Sequence, residues 1–208
     1  MTDIKQKLKA VGAYVPRILL PAKNVDYGKF SVIACDQFSA QPDYWNDVKS
    51  FVGESPSALN IILPEAFLSS ESDETVNEIN DVMRAYINGG VLEDIGEAFV
   101  FVERETSSGV RKGLVVALDL ERYEFNKGAK SLIRATEETV VERLPSRIKI
   151  RNDAPLEIPH VMVLIDDKKN LLMGALDGKK DKLPLLYDFD LMLGSGKIKG
   201  YKVSDDES

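Results

Sequence analysis

Short apolar runs bounded by prolines and glycines recur along the whole chain, and they constrain its fold more than any other feature. Most of them have the length of a β-strand rather than of a core helix. The strand-like runs cover residues 30–35, 59–63, 98–105, 113–120, 160–165, 171–176, 185–189 and 197–203. Such a series predicts a domain built around a β-sheet, with helices filling the intervals.

Helical periodicity is clearest in two of these intervals. Pro42 suits the first turn of a helix over 42–52, and Ser72 is a suitable N-cap for a helix over 73–88. Shorter helices are predicted over 3–11 and 137–144.

Together these elements predict an α+β (or α/β) fold with a mixed, partly antiparallel sheet of about seven or eight short strands. Two longer helices and one or two short helices cover that sheet. We expect one domain over residues 1–203, followed by an acidic tail at 204–208.

The composition excludes several classes of protein. With 44% apolar and 29% charged residues, the chain is neither disordered nor a disulfide scaffold. Its formal net charge of −7 disfavours binding to nucleic acid or to anionic lipid. No apolar stretch is long enough to span a bilayer, and the lone Cys35 allows no internal disulfide, so we expect a cytoplasmic protein with no membrane partner.

In the segment 146–151, basic side chains at 147, 149 and 151 alternate strictly with isoleucines at 148 and 150. As a strand, this segment would place Arg147, Lys149 and Arg151 on one face. One interpretation is an anion site that groups guanidinium side chains around phosphate or carboxylate. Its members would be Arg134, Arg143, Arg147 and Arg151. The other interpretation is structural: a solvated face, or cross-strand ion pairs with acidic residues. The candidate acids are Glu103, Glu105 and Asp119.

Several polar residues elsewhere in the chain are candidates for catalysis or ligand binding. Asp36 and Gln37 follow a predicted strand, where open sheets present ligand-binding groups, although Asp36 is equally suited to cap the next helix. Glu137 is a first-turn acid, or a general base or metal ligand if the anion site is real, and Thr139 could orient a ligand. His160 opens a predicted strand, where it either makes a structural hydrogen bond or contributes to a binding site.

Two glycine-containing strings are predicted to be turns. The string at 194–197 lacks the glycine and the Ser or Thr that a phosphate-binding loop requires. The string at 177–181 lacks the further acidic ligands of a calcium loop. One Cys and one His exclude a zinc cage made of those residue types within this chain, and we predict no metal site.

Several motifs resemble the prokaryotic family called domain of unknown function 1015, over residues from about 14 to 203. They are VPRILLP at 15–21, IACDQF at 33–38, QPDYW at 41–45, ILPE at 62–65, GLVVALDL at 113–120, LIRATEETV at 132–140 and APLEIPHVMVLIDD at 154–167. Some members are distantly similar to the ParB and sulfiredoxin-like group, whose folds bind nucleotide phosphates and in places transfer phosphate. Phosphotransfer would imply a divalent cation.

The chain departs from the family pattern at two points. Thr136 stands where family members carry a histidine, and a later Asp-Gly-His/Asn-His motif is absent. Family members also tend to be about twice as long, so the resemblance implies an amino-terminal portion whose site is completed beyond residue 208.

Two functions follow as hypotheses. The first is binding of a small molecule or nucleotide phosphate through the arginines, with Asp36 and Glu137 as catalytic candidates and phosphotransfer in the complete protein. The second is a noncatalytic protein-interaction or regulatory module with structural arginines. Whether the chain is an enzyme and whether it forms a homo-oligomer are both left open.

Overall fold

The computed structural model describes residues 2–34, 38, 40–70, 72–124, 126–134, 141, 144–158 and 160–204. Its α-helices are α1 (Thr2–Ala10), α2 (Tyr27–Phe30), α3 (Pro42–Val52), α4 (Asp73–Asn88), α5 (Leu144–Asn152) and α6 (Met173–Lys179). Short 3-10 helices cover Ala58–Ile61, Glu65–Ser70, Leu120–Arg122, Lys180–Lys182 and Met192–Gly194. The predictions of α1, α3 and α4 are confirmed.

The strands complete an α+β architecture, as predicted. They are β1 (Ala13–Tyr14), β2 (Arg17–Pro21), β3 (Leu92–Glu97), β4 (Phe99–Thr106), β5 (Gly109–Val115), β6 (Ala117–Leu118), β7 (Tyr123–Glu124), β8 (Ile133–Arg134), β9 (Leu185–Asp190) and β10 (Lys197–Val203). Among the described residues they form an antiparallel sheet in the order β5-β4-β10-β9 and three separate pairs. The pairs β1–β6 and β2–β3 are antiparallel, and β7–β8 is parallel.

The four-stranded sheet is built from two hairpins, and the sequence string at 194–197 predicts the turn of the second. Thr106 pairs with Gly109 at the end of the β4–β5 hairpin, and residues 191–196, which include the 3-10 helix Met192–Gly194, connect β9 to β10. Gly196 has a φ of 93°, and a Cβ there would lie 2.0 Å from the carbonyl oxygen of Glu105. Glycine is therefore required where this turn passes the backbone of β4.

The two longer helices begin as their sequences predict and bury their apolar faces in two clusters. The Ser72 hydroxyl accepts a hydrogen bond of 3.1 Å from the Thr75 amide and caps α4. The cluster under α4 contains Phe30, Ile61, Ile79, Met83, Tyr86 and Leu92. The cluster under α3 contains Ile33, Trp45, Val48, Val52, Leu191 and Met192.

A buried hydrogen-bond network connects α4 to the 3-10 helix at Ala58–Ile61. The Tyr86 hydroxyl accepts from the Ser57 amide and from Asn60 Nδ2, both at 3.0 Å. The Ser57 hydroxyl accepts from the Leu59 amide at 3.2 Å and donates to the Lys29 carbonyl at 2.8 Å. This network satisfies backbone groups that would otherwise be buried without partners.

Several strand predictions are wrong. Residues 146–151 lie in α5, residues 171–176 lead into α6, and residues 59–63 overlap a 3-10 helix. Residues 31–34 and 160–165 belong to neither helix nor strand. The predicted turn at 177–181 is also wrong, because these residues continue α6 into the 3-10 helix Lys180–Lys182. The predicted helix at 137–144 falls almost entirely outside the described residues.

Physical reasons account for two of these errors. A short apolar run does not distinguish a strand from a buried helical turn, and at 59–63 the Ser57 hydroxyl caps a 3-10 turn that buries Ile61 completely. Pro145 directly follows the predicted helix at 137–144, and it lies in the first turn of α5. Proline is compatible with the first turn of a helix, because the backbone amide that it lacks has no partner there.

The Tyr86 network predicts a measurable loss of stability on removal of one hydroxyl. Tyr86→Phe leaves the buried Ser57 amide without its acceptor, so we expect the free energy of unfolding to fall by about 1–3 kcal/mol in urea denaturation. Tyr14→Phe, at an exposed tyrosine, serves as the control and should change stability by less than ~0.5 kcal/mol. Equal effects of the two substitutions would contradict this account.

Close packing of a tyrosine ring against Gly200, on the central strand β10, leads to a second prediction about stability. A Cβ at Gly200 would lie 2.2 Å from the ring of Tyr187, which packs against Tyr27 and Phe189 and whose pKa burial raises to about 12. Gly200→Ala should therefore lower the free energy of unfolding by about 1–3 kcal/mol. At Gly113, on β5, an added Cβ would meet nothing within 4 Å. Gly113→Ala is the control, and a loss of stability as large as that of Gly200→Ala would contradict the steric explanation.

Candidate functional site

The three cations predicted to share a strand face lie instead on α5, and each pairs with a carboxylate from a different part of the chain. Arg147 Nη2 lies 3.8 Å from Glu65 Oε2, in the 3-10 helix Glu65–Ser70. Lys149 pairs with Asp73, at the start of α4. Arg151 pairs with Glu157, which follows α5. The cations are thus directed toward three separate carboxylates.

The cations of these pairs are 42–50% exposed, and of the three carboxylates only Glu65 is mostly buried, so the pairs contribute little to stability. Exposed ion pairs are worth about 0–1 kcal/mol each. Apolar packing contributes to the position of α5, since Ile150 contacts the cluster under α4. Backbone contacts add to this: Asn80 Nδ2 donates to the Ile150 carbonyl at 3.4 Å, and Arg84 Nη2 donates to the Asp153 carbonyl at 3.1 Å.

The remaining predicted site residues divide into two groups. Arg134 lies on β8, is exposed, and donates from Nε to the Ser131 carbonyl at 2.8 Å. His160 is exposed in a stretch without helix or strand. The other candidates lie outside the described residues and stay predictions: Asp36, Gln37, Glu137, Thr139 and Arg143.

The feature that sequence reasoning misjudged is an exposed run of five large apolar side chains at residues 161–165, here called the apolar segment. Met162 is 79% exposed and Leu164 is 78% exposed, while Val163 and Ile165 are about half exposed. Residues 160–167 belong to neither helix nor strand. The prediction of a buried strand identified the segment and its apolar character, but it assumed a pairing strand that the described part of the chain does not contain.

The end of the apolar segment is fixed by Asp167. Its carboxylate accepts hydrogen bonds from the amides of Leu171, Leu172 and Met173, at 2.7, 3.0 and 3.1 Å. These donors, the Met173 amide foremost, hold the pKa of Asp167 below its usual range. Asp167 therefore connects the segment to the start of α6, and it leaves Leu171 and Leu172 exposed beside it in sequence.

Helix α6 is in turn held against the four-stranded sheet by an ionic network. Lys180 Nζ lies 2.7 Å from Glu103 Oε1 and 3.2 Å from Asp177 Oδ1, and Lys112 Nζ lies 2.6 Å from Asp177 Oδ2. The Lys112 and Lys180 ammonium groups lower the pKa of Asp177, and the Glu103 and Asp177 carboxylates raise the pKa of Lys180. Because Glu103 lies on β4 and Lys112 on β5, this network anchors α6, and with it the end of the apolar segment, to the sheet.

Comparison with known proteins identifies the family. The family model described as protein of unknown function (DUF1015) matches residues 19–208, so the chain belongs to that family, as the sequence motifs predicted. No curated protein and no solved structure matches the chain. The distant similarity to the ParB and sulfiredoxin-like group stays a prediction.

Within the described ranges, no three His, Cys, Asp or Glu side chains are grouped as a metal site would require. None of the described helices has both the length and the apolar character that crossing a membrane requires.

The Asp167 cap predicts a pH-dependent effect. Because folding lowers the pKa of this carboxyl, its contribution to stability is present above the unfolded value near ~4 and is lost as the pH falls through the lower folded value. Asp167→Asn should therefore speed hydrogen exchange at the amides of residues 171–173 at neutral pH, and the difference from wild type should shrink on acidification. Asp166→Asn is the control, since Asp166 is exposed beside Lys168. A difference between Asp167→Asn and wild type that grows toward acidic pH would contradict the cap.

Proposed function

We propose that the chain is a noncatalytic protein-interaction module in which the arginines are structural and the apolar segment is the contact surface. One observation carries the proposal: residues 161–165 have the sequence of a buried strand, yet they are exposed and have no strand partner among the described residues.

The physical cost of this exposure supports an intermolecular role. Burying a Val, Leu, Ile or Met side chain is worth about 1.5–3 kcal/mol, so five such side chains in a row retain a large unsatisfied driving force. Contiguous apolar surface of this kind marks interaction sites in soluble proteins. An extended segment also offers backbone amides and carbonyls, which another strand can pair with.

The distribution of charged residues favours a protein-interaction module over an anion site or a nucleic-acid binder. Arg147 and Arg151 already face carboxylates, which supports a structural role for both. The net charge of −7 opposes nucleic acid as the partner. We place the module in the cytoplasm, because a chain with a single cysteine and no internal disulfide fits a reducing compartment.

A ligand screen distinguishes this proposal from phosphate binding. In thermal-shift measurements with ATP, GTP and inorganic phosphate, each with and without Mg²⁺, we expect no change in the midpoint, because a ligand that binds the folded state would raise it. Stabilisation that is lost in Arg147→Ala but kept in Arg111→Ala, at an exposed arginine on β5, would contradict the proposal and support an anion site.

Hydrogen exchange tests the exposed segment directly. In a dilute sample shown to be monomeric, the amides of residues 162–166 should exchange at rates close to those of an unfolded peptide. The amides of β10 provide the internal reference, since they pair with both β4 and β9. Protection of 162–166 equal to that of β10 in the monomer would mean that the same chain covers the segment, and the proposal would fail.

A further inference from the structure

We infer that the outer edge of β5 binds an extended acidic segment of a partner protein, which adds to the four-stranded sheet as a further strand. The inference goes beyond the proposed function, because it concerns a different surface and rests on separate observations. It is carried by Arg104 on β4 and Arg111 on β5, which lie directly opposite each other and have no carboxylate partner among the described residues.

The two faces of the four-stranded sheet differ in charge. Side chains alternate between the faces along each strand, and residues paired across strands share a face. The register therefore places every acidic residue of these strands on one face: Glu103, Glu105, Asp188 and Asp190. The opposite face carries Arg104 and Arg111 and no acid from any of the four strands.

The positive charge of the arginine pair is uncompensated within the described part of the chain. Arg104 Nη2 donates to the Ser195 carbonyl at 3.1 Å, and its Nε is buried without an acceptor. Arg111 is exposed, and its guanidinium has no ion-pair or hydrogen-bond partner among the described residues. Like charges directly opposite destabilise a strand pair, so a carboxylate beside Arg111 would offset a repulsion that the chain itself leaves in place.

A single cation on an edge strand has a simpler explanation, since such charges keep sheet edges from aggregating. That explanation accounts for Arg111. It does not account for Arg104, which lies directly behind Arg111 on an inner strand, between β5 and β10. Two guanidinium groups in one row instead favour recognition of an anion.

The backbone of β5 is arranged to accept another strand. Among the described residues β5 pairs only with β4, and residues 109–112 are exposed. Thr106 and Gly109 close a two-residue loop and are therefore a hydrogen-bonded pair, and such pairs recur at every second residue. The amides of Val110 and Lys112 consequently point away from β4, where an extended segment can pair with them.

An antiparallel strand added to this edge would place one of its side chains directly opposite Arg111. The backbone groups of Arg111 point toward β4, so this would be a non-hydrogen-bonded pair, in which the Cα atoms are only about 4.5 Å apart. An Asp or Glu at that position would lie close to the guanidinium group. The net charge of −7 opposes this contact only weakly, because exposed charges are screened beyond about 8–10 Å.

A second copy of β5 is a poorer occupant of the same edge. Antiparallel pairing of two β5 strands about Arg111 would place the two copies of Arg111 opposite each other. Pairing about Lys112 would do the same to Lys112. Like charges destabilise either register, so the occupant that fits is a segment that brings its own carboxylates.

NMR titration of the isotope-labelled chain with two short peptides tests the inference. The probes are the end-blocked heptapeptide Thr-Glu-Thr-Glu-Thr-Glu-Thr and its counterpart with Gln in place of each Glu, which differ in charge but hardly in shape. We expect the Glu peptide to shift the amide signals of Val110 and Lys112, with a dissociation constant on the order of a millimolar. The Gln peptide should bind about fivefold more weakly, and added salt should reduce the difference.

Arg111→Glu has two expected effects. It should abolish the preference for the Glu peptide, and it should raise the thermal midpoint of the unbound protein by about 1–3 °C, because it places opposite charges across β4 and β5. Lys23→Glu is the matched control, since it makes the same change of charge at an exposed turn residue. This control should keep the peptide preference and lack the rise in midpoint. A midpoint for Arg111→Glu that does not exceed that of the control would contradict the uncompensated charge and overturn the inference.

The outcomes that overturn the inference are distinct from those that overturn the proposed function. Equal binding of the two peptides, or signal changes confined to residues 162–166, excludes the β5 site and keeps the apolar segment as a contact surface. A response of Val110 and Lys112 to inorganic phosphate as large as that to the Glu peptide would indicate a site for simple anions and would exclude an added strand. Protection of 162–166 in the monomer overturns the proposed function and leaves the β5 site in place.

Discussion

The position of β10 between β4 and β9 is the constraint on which the rest of the described structure depends. Lys197 pairs with Glu105 on one side and with Asp190 on the other, so this strand joins parts of the chain that are far apart in sequence. The resulting sheet supplies Glu103, to which Lys180 attaches the end of α6. The start of α6 in turn holds Asp167, so the end of the apolar segment is positioned by the sheet.

Helix caps, prolines and turn glycines in the sequence predicted the elements whose formation depends mainly on neighbouring residues. Pro42, the Ser72 cap and the glycines at 194 and 196 predicted α3, α4 and the β9–β10 hairpin close to their observed bounds. The strand predicted at 113–120 was less accurate, because β5 covers Gly109–Val115. Segments whose form depends on distant contacts were not predicted: α5 has an alternating sequence, yet it forms a helix that packs on α4. The carboxylates that face its cations could not be predicted either, because Glu65 and Asp73 come close to them only after folding.

The apolar segment is informative because its sequence predicts a buried strand, whereas in the structure it is exposed and is neither helix nor strand. A run such as 161–165 has the composition of a strand covered on both faces, and His160 and Asp166 mark its ends. In most proteins the local propensities and the hydrophobic pattern of the sequence match the observed fold, and the exceptions are concentrated at functional or strained sites. The same residues that misled the prediction of a buried strand are therefore the ones that suggest where a partner attaches.

The directions in which the α5 cations point bear on function more than the strength of their ion pairs does. Each exposed ion pair is worth so little that a strongly bound phosphate could replace it, so the presence of the pairs alone would not oppose an anion site. What opposes it is their divergence: Arg147 faces the 3-10 helix before α4, and Arg151 faces the chain after α5. Bidentate recognition of one phosphate requires guanidinium groups that converge on one point. The cations of α5 are directed at separate carboxylates and do not converge in this way, which supports our proposal that the apolar segment, rather than an arginine cluster, is the contact surface.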